Sequence, residues 1–166
     1  MNASLNNPLP KLRNVSSGFT LIELMVTIAV LAIIVSIAAP SISTQLANNQ
    51  VKATSTLIQT SIARAKAESA IRRKPITWQY SDIDDVITLE DSGTTLANYN
   101  ISTSSTLTFA PSILTTLVVD KEGNIRSEIG GVVNLVINIG DTRAGATAQR
   151  VRVNTKRAFE CSGTNC

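Results

Sequence analysis

Between Phe19 and Ala39 the chain is apolar at nearly every position, and Glu23 is the sole charge in that run. As an α-helix the 21 residues would extend about 31 Å, enough to cross the hydrocarbon core of a bilayer. In lipid the backbone has to satisfy its own hydrogen bonds, so helix is the conformation the run dictates. Two details separate it from a plain anchor. Glu23 lies one turn into the run, where an unpaired carboxylate is costly and marks a function. Ser16-Ser17-Gly18 reads as a cleavage site, yet it precedes the apolar run, whereas a secretory signal is cut after its apolar core. Cleavage between Gly18 and Phe19 would keep the run and give it a new amino terminus. That amine could neutralise a carboxylate one turn along, on the same or a neighbouring subunit.

Gly18-Phe19-Thr20-Leu21-Ile22-Glu23, a basic leader before it and Pro40 after the apolar block closely resemble the signature of type IV pilins and type II secretion pseudopilins. The resemblance covers about the first quarter of the chain. It implies cleavage after Gly18 and N-methylation of Phe19 by a prepilin peptidase. It also implies that the helix packs into a filament core among other pilin subunits, with Glu23 facing the Phe19 amine of an adjacent one. The plain alternative is a single-span anchor with a chance glutamate.

The chain has 166 residues, which suits one small domain behind the anchor. Four segments are expected: a leader over 1–18, a membrane and filament-core helix over 19–40, an amphipathic continuation over 41–74, and a β-rich globular domain over 75–166. Lys11 and Arg13 hold the leader in the cytoplasm by the positive-inside rule, so the domain is expected on the far, periplasmic side of the inner membrane. The net charge of +3 conceals segregation. Over 41–74 six basic residues oppose Glu68, over 75–140 eight acids oppose Lys121 and Arg126, and over 141–166 five basic residues oppose Asp141 and Glu160. Such blocks suit head-to-tail contacts or an anionic partner at one end, and equally suit solvated faces that keep a domain soluble.

No histidine occurs, and the two cysteines are Cys161 and Cys166. The chain therefore cannot build a Ser-His-Asp triad, a Cys-His pair or a histidine metal site, which speaks against an enzyme, and no cofactor is implied. A C-x-x-x-x-C pair on an extracytoplasmic domain reads as a small disulfide loop at the carboxyl terminus. Asp82-Ile83-Asp84-Asp85 fails the EF-hand pattern, because the sixth and twelfth loop positions would be Ile87 and Gly93. It reads as a solvated turn.

After Pro40 a stripe of Leu46, Val51, Thr54, Ile58, Ile62, Ala65 and Ser69 gives a roughly helical period. One helix from about Phe19 to Arg73 is predicted, loosened or kinked at Pro40 and stopped by Lys74-Pro75. The texture then becomes β: Ile76–Tyr80 with Trp78 and Tyr80 on one face, Val86–Leu89, Thr106–Phe109, Leu114–Val119, a turn at Asp120–Asn124, a short return at Ile125-Arg126, an apolar central strand over Val132–Ile139, and a last strand over Arg150–Asn154. The Ser/Thr-rich stretch from Ser92 to Thr106 reads as loop or weak edge strand. The fold class is α+β, one antiparallel sheet packed on the lower half of a long helix.

In the last strand Arg150 and Arg152 should share the outer face, with Val151 and Val153 inward. Arg143, Lys156 and Arg157 could extend them into a basic strip able to hold phosphates without base specificity. Arg-x-Arg ahead of a cysteine-containing tail resembles the GspH/FimT group of minor pilins. Some members carry Gly-Arg-x-Arg and bind DNA in natural transformation; here Gln149 stands in place of the glycine. The function this implies is a minor type IV pilin of the FimT/FimU type, with double-stranded DNA as a further partner. The alternative is the minor pseudopilin of a type II secretion system.

Overall fold

A computed structural model describes residues 18–161. The leader residues Lys11 and Arg13, and Cys166 of the expected disulfide, lie outside the described residues. By internal contacts the chain divides between Ala38 and Ala39 into two units.

Helix α1 spans Leu21–Arg72, with Pro40 inside it. Thr20 caps its start: the Glu23 backbone N–H donates to Thr20 Oγ1 at 3.2 Å. At the other end Arg73 takes a left-handed backbone (φ 53°), which closes the last turn before Pro75. In the first unit, no residue from Gly18 to Ala38 is buried. Its large apolar side chains are exposed around the whole circumference, from Val30 at 50% to Phe19 at 80%.

The second unit wraps strands on the rest of α1. They are β1 (Ile76–Ser81), β2 (Val86–Asp91), β3 (Thr94–Asn100), β4 (Ser105–Ala110), β5 (Thr116–Val119), β6 (Ile125–Ser127), β7 (Asn134–Asp141), β8 (Gln149–Asn154) and β9 (Ala158–Cys161). The expected single sheet is corrected to two antiparallel sheets, ordered β3-β2-β1-β5-β6 and β4-β7-β8-β9. After β3 the chain leaves the first sheet to lay β4 against β7, then returns to place β5 beside β1. The stretch at Thr94–Asn100 is an edge strand, and β9 adds a strand beyond the predicted last one.

One core joins the layers. Val51, Ile58, Ile62 and Ala65 of α1 meet Trp78, Ile87, Leu89 and Leu117 of the five-stranded sheet and Leu135, Ile137, Ile139, Val151 and Val153 of the four-stranded one. Each aliphatic side chain buried this fully stabilises the fold by about 1.5–3 kcal/mol before entropy is subtracted. Two buried polar contacts register the helix. Trp78 Nε1 donates to Ser61 Oγ at 2.8 Å, and Thr54 Oγ1 lies 3.0 Å from Ser105 Oγ. Leu46 of the predicted stripe is exposed, and Ala47, Ser55 and Ser61 are buried in addition to it. Where two sheets approach a helix, small side chains are what the space admits.

Candidate assembly helix and basic strand

At the start of α1, Glu23 has two parts to play. Its backbone N–H completes the Thr20 cap, giving the pair the T-x-x-E spacing of a capping box. The carboxylate is solvent-exposed in the first turn, where the helix dipole favours a negative charge. No ion pair reaches it among the described residues, and Gly18 and Phe19 just ahead are likewise exposed. Thr20 is the residue that the sequence reading passed over, although the capping spacing was there to read. Pro40 accepts a hydrogen bond from Thr44 Oγ1 at 3.1 Å through its carbonyl.

The basic residues of the carboxyl-terminal half fall into three settings. Arg143, in the loop after β7, forks onto Asp141: Nε–Oδ1 is 2.8 Å and Nη2–Oδ2 is 2.7 Å. The Arg143 backbone N–H adds a third bond to Oδ1 at 2.9 Å. These bonds, the guanidinium first, hold the Asp141 carboxyl down at about 2, against the desolvation that would raise it. Lys156 turns away to the β5–β6 turn, with Nζ 2.5 Å from Asn124 Oδ1, and its carbonyl accepts from Lys66 Nζ.

Arg150, Arg152 and Arg157 remain together. Arg150 and Arg152 point outward between the buried Val151 and Val153, as the alternation predicts. Arg152 donates Nε and Nη2 to Asn134 Oδ1 at 3.1 and 2.9 Å. Arg157 lies over the Phe159 ring, 5.0 Å from its centroid, and Phe159 is opposite Arg152 across the β8–β9 ladder. Register places Thr106, Thr108, Asn134, Val136 and Asn138 beside the arginines on the same face, so these positions carry no carboxylate. Among the described residues the arrangement offers guanidinium donors, amides and threonine hydroxyls on one sheet face. The Arg157–Phe159 pairing escaped the sequence because it depends on β9.

Residues 13–39 match the family described as the prokaryotic N-terminal methylation motif. No curated protein matches the chain. Among solved structures, the minor pseudopilin EpsH from the type 2 secretion system of Vibrio cholerae is similar in fold. Its TM-score is 0.51 at 10% identity, over 68% of this chain and 97% of that one.

Proposed function

We propose that this type IV pilin-like chain, with the fold of a minor pseudopilin, serves as a minor type IV pilin: a structural subunit that waits in the inner membrane and is then drawn into a filament. The observation that carries the reading is the helix before Ala39, exposed on every side and apolar but for Glu23 near its start and the hydroxyls of Thr27 and Ser36. Such a surface needs lipid at first and neighbouring helices later. Prepilin peptidase would cut after Gly18 and methylate Phe19, and the freed amine would pair with Glu23 of an adjacent subunit. Lys11 and Arg13 favour a periplasmic β domain. Its work is assembly, without catalysis. Glu23→Ala should leave cleavage intact and deplete the protein from sheared filaments by tenfold or more; normal abundance there would remove Glu23 from the role.

A second reading, a minor pseudopilin of a type II secretion machine, is favoured by the fold shared with EpsH over nearly all of that structure. Deletion of the gene separates the two, since one predicts lost pili and the other a lost secretome. DNA capture is a further role, supported by the outward aim of Arg150 and Arg152, the described β4 and β7 positions beside them being other than Asp or Glu, and Arg157 following in the next turn. Arg143 is ion-paired with Asp141 and Lys156 is bonded to Asn124, so both would have to exchange a partner to meet a phosphate. Binding to duplex DNA should then weaken steeply with salt and collapse in the Arg150→Ala/Arg152→Ala double variant. Absence of binding at low salt would leave an assembly subunit alone.

A further inference from the structure

Among the described residues outside the apolar run, Ile83 is the most exposed large apolar side chain, at 90%. It tips the β1–β2 turn between Asp82 and Asp84, and the turn beneath it is braced. Asp85 adopts a left-handed backbone (φ 52°), accepts from Tyr80 OH at 3.0 Å, and accepts the Ile101 N–H on its carbonyl at 2.7 Å. Ser81 Oγ donates to Asp84 Oδ2 and accepts the Asp84 N–H. The Asp82 carboxylate makes no hydrogen bond or ion pair among the described residues. The result is a held apolar knob with a carboxylate on either side.

A groove of matching character runs between α1 and the open edge of β3. Ala53, Leu57 and Tyr99 give it an apolar floor, and Thr56 and Thr60 line its wall. Lys52 stands at one end, with no ion pair among the described residues. Near the other, Arg64 Nη1 reaches Tyr99 OH at 3.5 Å, and its carboxylate neighbour Glu68 is 3.9 Å away and already bonded to Arg72. No carboxylate lines the groove.

We propose that a second copy of this chain seats its β1–β2 turn in this groove, Ile83 on Ala53, Leu57 and Tyr99, with Asp82 and Asp84 toward Lys52 and Arg64. Charge complementarity selects this occupant: an acid-flanked apolar tip meets an apolar trough with cations at its ends. Knob and groove are different patches, so a one-way pairing leaves one of each unfilled for a further copy or another subunit. It rests on the filament reading only in bringing copies side by side.

The test uses two tagged full-length chains in one membrane, one carrying the photo-crosslinker p-benzoylphenylalanine in place of Ile83. Adducts should map to residues 49–60 of the other copy. Lys52→Glu in the acceptor, or Asp82→Lys with Asp84→Lys in the donor, should cut the yield at least fivefold, and combining them should restore it. Ala53→Asp, at an exposed position that folding does not depend on, should also suppress it. Adducts elsewhere, adducts to a different protein, or yields indifferent to these charges would overturn the contact. Repeating the experiment in the Glu23→Ala background keeps the outcomes separable: the crosslink should persist there even when filaments do not form.

Discussion

Ser61 is a small residue with a large obligation. It is fully buried, and its hydroxyl is the acceptor for the indole N–H of Trp78, itself fully buried. Ser61→Ala would strand that donor, and a buried group left without its bond costs about 1–3 kcal/mol. The loss should appear as a lower urea midpoint followed through Trp78 fluorescence, while Ser61→Thr, which keeps the hydroxyl, tests whether the space or the bond matters. Asp141 answers to pH instead. Its carboxyl ionises at about 2 when folded, against about 3.9 in an unfolded chain, so its contribution is present above pH 4 and fades as pH falls toward 2. Arg143→Ala should therefore be less stable than the parent at pH 5 and nearly equal to it at pH 2, in urea titrations at each pH. At the alkaline end Tyr80 behaves in the opposite sense. Burial first, and then its bond to Asp85, lift its phenol to about 12. Stability drawn from Tyr80 is present below pH 10 and is lost as pH climbs toward 12, and a tyrosinate absorbance titration of the Tyr99→Phe variant should place the remaining phenol's midpoint at about 12.

At the scale of elements, the β7–β8 loop owes its position to a glycine. Gly145 has a left-handed backbone (φ 83°), and a Cβ there would lie 2.9 Å from Thr44 Oγ1 on α1. The loop is also tied by Thr147 N–H to Asn48 Oδ1 at 2.7 Å. Gly93 in the β2–β3 turn shares the backbone (φ 86°) but faces open space. Gly93→Ala should cost only the left-handed penalty, about 1–2 kcal/mol, and Gly145→Ala measurably more, compared by thermal unfolding. Thr44→Ala should recover much of the difference. Local chemistry of this kind explains what the sequence could disclose. The helix was legible from its apolar run, its stripe and Lys74-Pro75, and most strands from period-two alternation. Which strand joins which sheet was not, because β1 pairs with β5 and β4 with β7 across tens of residues, and no local pattern encodes such a choice. Strand β9 hid in Ala158–Cys161, a segment without alternation, and with it the partner of Arg157. The outward aim of Arg150 and Arg152 was legible, since it follows from alternation alone; the capture of Arg143 by Asp141 and of Lys156 by Asn124 was not.

For the molecule as a whole, the division at Ala38 separates two kinds of surface. None of the residues from Gly18 to Ala38 is buried, whereas the core gathers wholly from residues beyond them. A chain beginning at Ala39 should stay in solution without detergent and unfold in urea as one cooperative step; aggregation or a multistep transition would show that the apolar helix supports the core. Strand β9 stands apart in another respect. It is four residues long, pairs among the described strands with β8, and its side chains are half-buried or exposed. The sheet is thus layered in worth: the ladders that join β4, β7 and β8 carry the fully buried Leu135, Ile137, Ile139, Val151 and Val153, whereas the rim formed by β9 carries chiefly surface chemistry, so sequence change at the rim costs the fold least.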